Sequence, residues 1–277
     1  MGLGVGLIYS TARFFNLALA GICSLSANFL FTLFIKYDFN IWLSIIFALM
    51  GSTLIGAALE FLIFRPLRRA GGSRLVLLMV SLGILTLILG SSSICFGDES
   101  KIVRVGNKVN SIMIFGASIT TIQIINIIIT SFLCVFLWLV LRYTNFGKSI
   151  RSISNDIQLA TIVGIKIDKV LLQTNLLGSF LVSTAGLCTS FDTGLNPLMG
   201  FEMLLPGVVA AIIGGIKYVQ GIVFGGILIG IARNFGVWKL PTQWQDVITL
   251  IILLAFLFFR SKSYLRKKKI MSQYNLF

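Results

Sequence analysis

Apolar runs separated by short polar breaks fill almost the whole chain. Runs at residues 14–35, 41–64, 75–95, 121–141, 170–191, 203–216, 221–235 and 247–259 fall near the about 20 residues that cross a hydrocarbon core of about 30 Å. They predict about eight crossings and therefore an all-α integral membrane protein, a polytopic helical bundle. Two runs, 203–216 and 221–235, are short and glycine-rich, which predicts broken or tilted helices. Residues 1–12 are apolar but too few to cross before Arg13, and read as the remainder of a longer helix or as a re-entrant piece. Pro66, Pro197, Pro206 and Pro241 fall at or near expected ends or breaks, where a missing N–H costs least. The pairs Gly221/Gly225 and Gly226/Gly230 have four-residue spacing that clears one helix face, either for close packing or for lining a pathway.

One long polar island interrupts this pattern, at residues 147–169. It lies between two membrane-length runs, so it is an inter-helix loop exposed to a soluble compartment. If residues 152–163 are helical, Ile153, Ile157, Ala160 and Val163 or Gly164 share one face, with Asn155, Asp156 and Gln158 turned elsewhere. Such a face can enter a groove on a partner protein or rest on the membrane interface.

Charge decides orientation. The 23 Lys and Arg against 9 Asp and Glu give a net charge of +14, while 57% of residues are hydrophobic. The basic residues gather in short clusters between apolar runs, so they mark topology and not nucleic-acid binding. Arg65, Arg68, Arg69 and Arg74 form one cluster; Arg142, Lys148, Arg151, Lys166 and Lys169 a second; and Arg260, Lys262 and Arg266 to Lys269 a third. All three are expected on the cytoplasmic side, which places the C-terminal tail, 260–277, there too and suits anionic lipid headgroups. Alternation then puts 97–118, the Lys36-Tyr37-Asp38 turn and 192–201 outside, provided that 217–220 is an inner turn. No basic segment precedes a short apolar run at the start, so no cleaved leader is expected. The apolar bundle uses nearly all of the 277 residues, leaving one transmembrane domain and no room for a nucleotide-binding domain.

Catalytic chemistry is sparse. Histidine is absent, and Cys23, Cys95, Cys134 and Cys188 are scattered through apolar runs, so neither a metal site, a disulfide framework nor a cofactor is expected. No nucleophile, base and acid come within a recognisable spacing, which argues against an enzyme. Ionisable groups inside spans are costly and are read one by one. Glu60 and Arg65 are expected to pair at the inner interface. Asn16, near a helix start, bonds to a neighbouring helix or contacts a solute; Asn196, with Asp192 and Glu202, belongs to an outer segment that is either solvated or a docking surface. Arg233 is expected to snorkel towards the outer surface. An ion-driven secondary carrier is one candidate for such a bundle, but carriers of that kind place carboxylates or His deep in the membrane, and the deep parts of these runs hold almost none.

Five pieces in order carry a family likeness: Glu60 to Arg68 with its Arg65-Pro66 step; Gly147, Arg151, Asp156, Ala160, Gly164 and Ile165 in the polar island; Asn196-Pro197 with Met199-Gly200-Phe201; Ala210 to Gly215; and Gly225 to Gly230. Over nearly its whole length the chain resembles the membrane permease subunits of branched-chain amino acid ABC importers, a family that also includes urea and amide permeases. The resemblance implies a bacterial inner-membrane subunit. Its implied partners are cytoplasmic ATP-binding subunits, a second permease subunit, an extracytoplasmic substrate-binding protein and membrane lipid. It implies that residues 142–169 form the coupling loop, with Gly147, Arg151, Asp156, Ala160 and Gly164 seated in a groove of the ATPase. It also suggests a substrate path along Asn16, Asn196, Gly214, Gly215, Gly225 and Gly226. The chain departs from the family in three places, one being Arg233, which stands where an acidic residue is common after the last glycine-rich run. It looks shortened before Gly2, and where the family has a string of Asn, Phe, Ala, His, Gly and Glu this chain has Asn16-Leu17-Ala18-Leu19-Ala20-Gly21.

Overall fold

The computed structural model describes residues 1–97, 101, 111–114, 117–216, 218–238, 241 and 244–258. The basic tail expected at 260–277 lies outside the described residues, as do Lys217 and most of the outer segment 98–110. Among the described residues the chain forms α1 Gly2–Ala12, α2 Ala18–Lys36, α3 Ile41–Arg69, α4 Arg74–Phe96, α5 Thr121–Tyr143, α6 Asn145–Asn155, α7 Ile157–Ile162, α8 Ile167–Asp192, α9 Met199–Gly214, α10 Val219–Val237 and α11 Gln245–Phe258. Strands β1 Ser111–Ile114 and β2 Ala117–Thr120 pair antiparallel, with Ser111 opposite Thr120, as a short hairpin ahead of α5. The chain is otherwise helical there, as the apolar pattern predicts.

Six helices, α2, α3, α4, α5, α8 and α10, are long and apolar enough to cross a membrane; α1, α9 and α11 are shorter. The about eight expected crossings thus resolve, among the described residues, into six long helices and three shorter ones. The run at 221–235 is not broken but lies in a continuous 19-residue helix, whereas the run at 203–216 lies in a helix of only 16 residues. That helix begins at Met199, which leaves Pro206 inside it and not at its end. Pro66 likewise does not end α3. Residues Glu60–Phe64 ahead of it form a π turn, whose wider pitch accommodates the missing N–H and the ring.

α8 occupies the centre. Val182 on it joins Val5 and Ile8 of α1, Leu19, Ile22 and Cys23 of α2, Leu85 of α4 and Leu204 of α9 in one buried cluster. Close approach is made possible by small residues. A methyl at Gly178 would meet Ile8 of α1, one at Gly186 the backbone of Cys23, and one at Gly200 the backbone of Ala20. In a bilayer, where lipid is as apolar as leucine, such backbone proximity is what favours one helix pairing over another.

The first apolar run does not extend through Arg13 as one helix. α1 ends at Ala12, Arg13 adopts a left-handed conformation (φ 57°, ψ 26°), and α2 begins at Ala18. For a residue with a Cβ that conformation costs about 1 kcal/mol. The side chain of Asn16 stabilises the restart, its Oδ1 accepting from the Ala18 N–H at 3.2 Å. α1 therefore packs as a short separate helix, its Gly4 against Gly178 and Val182 of α8. Gly178 lies about 16 Å along α8 from Ile167 at 1.5 Å per residue, so this end of α1 sits at mid-bundle.

Candidate functional site

The polar island forms two short helices rather than one. Thr144 caps α6, its Oγ1 accepting from the Gly147 N–H at 3.1 Å. A methyl at Gly147 would run into the backbone of Leu141, so this glycine lets α6 fold tightly back on α5. Arg151 donates from Nη1 to the Leu141 carbonyl at 2.6 Å, occupying an orphan acceptor at the end of α5. The expected helix over 152–163 is interrupted at Asp156, which is extended (φ −148°, ψ 119°). Its Oδ1 accepts from the N–H groups of Gln158 (2.8 Å) and Leu159 (3.3 Å) and so starts α7. Gly164, at φ +84°, ends that turn in a conformation that favours glycine.

The break reassigns the faces. Ile153 and Ala160, expected on the side offered to a partner, are both 0% exposed. They pack with Leu7 of α1, Leu137 of α5, Ile150 of α6, and Val170 and Leu181 of α8. What the loop leaves open is the opposite side of α7, where Leu159, Ile162 and Val163 are 61%, 80% and 79% exposed. Their spacing of three and four residues places them on one face. The amphipathic pattern is thus real, but its regular apolar stripe belongs to the bundle's own core.

Arg13 joins this loop from the other end of the sequence. Its Nη2 donates to the carbonyls of Ser154 (3.3 Å) and Asn155 (3.1 Å), the last residues of α6 before the break. Two adjoining cavities open here and share Ser10, Ser154, Asn155, Ile216 and Tyr218. One, of about 380 Å³, runs between α1, α5, α6 and α10 past Leu7, Leu137 and Ile222; the other, of about 550 Å³, is lined also by Arg13, Arg74 and Gly215. Arg13, Arg74, Arg142 and Arg151 therefore gather at one end of the bundle, and Gly215, Ile216 and Tyr218 lie with them.

The ion pairs at this end differ from those expected. Glu60 pairs with Arg68 and not with Arg65, and its second oxygen accepts from Asn175 Nδ2 of α8 at 3.0 Å. Arg65 instead turns to Asp168 at the start of α8, 3.2 Å away, where Arg69 joins it at 2.6 Å. The reason is that Glu60 is buried while Arg65 is at the rim. A buried carboxylate requires a cation and further hydrogen bonds within reach, and the turn-widened end of α3 supplies Arg68. Arg233 also finds a partner rather than snorkelling alone, pairing with Asp246 at 3.3 Å.

The six residues proposed along a path are not brought together. Asn16 and Asn196 each accept a backbone N–H two residues ahead, from Ala18 and Leu198, and so fix the starts of α2 and α9. Gly214 packs on Gly221, and Gly225 on Ala210, at the contact of α9 with α10; a side chain at any of these would meet backbone. Gly226, with open space about it, faces away from that contact. Of the six, Gly215 lines the larger of the two cavities described above. Sequence inspection gave no site role to Arg13, Arg68 or Asp168, and of the exposed Leu159, Ile162, Val163 face it placed only Val163 on the expected stripe. Arg13 did carry a signal: a single cation between two apolar runs needs a partner somewhere in the fold.

Comparison with known proteins places these features in a family. The model for the branched-chain amino acid transport system / permease component matches residues 1–257. The high-affinity branched-chain amino acid transport system permease protein LivH of Escherichia coli K12 is 28% identical over 229 residues, covering 78% of this chain and 72% of that one. BraD of Pseudomonas aeruginosa, described likewise, is 25% identical over 230 residues (80% and 74% of the two chains). A probable LivH of Methanocaldococcus jannaschii is 25% identical over 272 residues (93% and 84%). No solved structure matches. With that match spanning nearly all of a multi-pass helical chain, the protein belongs to the branched-chain amino acid transport system permease component family.

Proposed function

We propose that this chain is the transmembrane permease subunit of an ATP-driven importer for a branched-chain amino acid or a similar small polar solute such as an amide or urea. The α6–α7 loop docks on a cytoplasmic ATP-binding subunit. A second permease subunit completes the conduit, and an extracytoplasmic binding protein delivers solute at the opposite end. The basic end of the bundle, and with it the C-terminus, lies in the cytoplasm of a cell whose plasma membrane the single domain spans. The observation that carries the reading is the exposed apolar face of Leu159, Ile162 and Val163, held out from the basic end by the Asp156 cap. A capped turn presenting three apolar side chains suits a hydrophobic groove on a partner. Against an ion-driven carrier, Glu60 is the one carboxylate buried among the described residues, and Arg68 already neutralises it.

The test is co-expression with the ATPase and binding protein. Leu159→Asp/Ile162→Asp is expected to abolish both co-purification of the ATPase and uptake while leaving membrane insertion and thermal unfolding of the permease unchanged. Asp156→Lys, which removes the cap, and Gly164→Trp, which forces a bulky side chain into φ +84°, are expected to abolish uptake too. Ile153→Asp is the control, because it should unfold the bundle. Normal uptake by the charged α7 variant would overturn the reading, as would uptake by the isolated chain in vesicles without nucleotide.

A further inference from the structure

We infer that Arg13 is a positioning residue that transmits movement of the α6–α7 loop to the membrane-embedded helices; this rests on the reading of that loop as the motor's docking site. Three observations carry it. First, the guanidinium spans two carbonyls, Ser154 and Asn155, that belong to the final turn of α6. Those carbonyls close α6 and carry the negative end of its dipole, which favours a cation there. Both bonds leave one nitrogen, Nη2, whose two N–H groups are fixed in the guanidinium plane, so the always-charged arginine holds the two oxygens in one geometry where a freely rotating lysine ammonium does not. The grip falls immediately before Asp156, where the loop bends, so the half of the loop that leads into the bundle is the half that is held.

Second, α1 is fastened to the same loop by apolar contact. Leu7 lies in the cluster with Ile150 and Ile153 of α6 and Ala160 of α7. Polar and apolar attachments one and a half turns apart fix both the position and the rotation of α1 relative to the loop.

Third, the far end of α1 cannot slide independently. Gly2 sits against the backbone of Gly207 in α9 and Gly4 against the backbone of Gly178 in α8, neither with room for a methyl, and Gly6 lies against the end of the Ile222 side chain in α10. α1 is therefore a short rod with its C-terminal end gripped by the loop and its N-terminal end seated among three helices at mid-bundle. Displacing the loop displaces that seat. Two packed arrangements of the rod, biased by the nucleotide state of the motor, give the coupling a physical carrier rather than a notional pathway.

The left-handed backbone at Arg13 supplies the discriminating experiment. Glycine suits that conformation better than arginine, and asparagine tolerates it. Arg13→Gly and Arg13→Asn thus keep the turn between α1 and α2 while removing the reach to α6. If the residue served only to make the turn, both variants would work at least as well as the parent. As a strut, both variants should still bind and activate the ATPase in reconstituted vesicles, yet solute moved per ATP hydrolysed should fall about tenfold, the scale of an ordinary coupling free energy. Arg13→Lys, able to reach one carbonyl, should recover part of it. Solute per ATP within twofold of the parent in the Gly and Asn variants overturns the inference, and so does loss of ATPase binding in those variants. The docking reading fails separately, if Leu159→Asp/Ile162→Asp retains the ATPase. Should Arg13→Gly not accumulate in the membrane, Arg13→Asn decides by the same ratio.

Discussion

α5 and α8 invert the usual relation between apolarity and burial. Only 6% of the residues in the most apolar stretch of α5 are buried, although most residues from Ile124 to Val140 are apolar, whereas in the corresponding stretch of α8, a helix interrupted by Thr174, Asn175, Ser179, Ser183 and Ser190, 67% are buried. In water the assignment would be reversed. In a bilayer no hydrophobic force drives apolar side chains away from their surroundings, so what selects the centre is the capacity for close packing and for mutual hydrogen bonding. α8 has both: Gly178 and Gly186 admit neighbouring backbones, and Asn175 meets Glu60. α5 offers branched aliphatic surface suited to lipid or to another apolar subunit.

The largest expected effect lies where α8 meets the buried charge. Glu60→Ala would leave Arg68, 17% exposed at its side chain, without its counter-ion, and Asn175 without its acceptor. Removing one member of a buried pair costs about 3–5 kcal/mol, which should appear as a fall in the unfolding midpoint in detergent micelles. The double variant Glu60→Met/Arg68→Met should recover most of that loss, because two apolar groups satisfy the site without desolvated charge. If Glu60→Ala unfolds like the parent, α8 is not held by its polar contacts and the contrast with α5 fails at its foundation.

A smaller effect separates packing from polarity. Gly186→Val places a branched side chain against the Cys23 backbone, whereas Gly226→Val meets open space. Overpacking of the first kind costs about 1–3 kcal/mol, and the second substitution should lie within about 0.5 kcal/mol of the parent. Equal midpoints for the two would mean that α2 can move off α8 without penalty.

The helical, multi-pass character and the basic loop clusters were legible from the sequence because both follow composition: apolar length sets spans, though six helices among the described residues are long enough where about eight crossings were expected, and Lys and Arg collect in short loops. Turns and partners were not. The break at Asp156 depends on a side chain capping its own backbone two and three residues ahead, an option that periodicity ignores and that Asp always offers. Ile153 and Ala160 had the right spacing, but periodicity cannot say whether an apolar face turns to the bundle or away from it. Glu60 selected Arg68 over Arg65 because a π turn changed the angular step between them. Arg13 lies 141 residues from Ser154, and no local pattern announces a contact of that separation.

The smallest effect sharpens the comparison from the α5 side. Ile127 and Phe132 are 65% and 68% exposed, and the Phe132 ring stacks on Phe136 of its own helix, so Ile127→Ala and Phe132→Ala remove mostly outward-facing surface of α5. In the isolated permease both should change the unfolding free energy by less than about 0.5 kcal/mol, as surface substitutions do, since lipid or detergent tails replace the lost methyl groups and no cavity forms. The same variants measured in the assembled transporter add a second reading. If they remain silent there, α5 faces lipid; if the assembly loses its second permease subunit while the single chain keeps its midpoint, α5 is the face on which the two subunits meet. A loss in the isolated chain as large as that of Gly186→Val would mean instead that α5 packs into its own bundle, and the division between an apolar outer helix and a polar inner one would have to be abandoned.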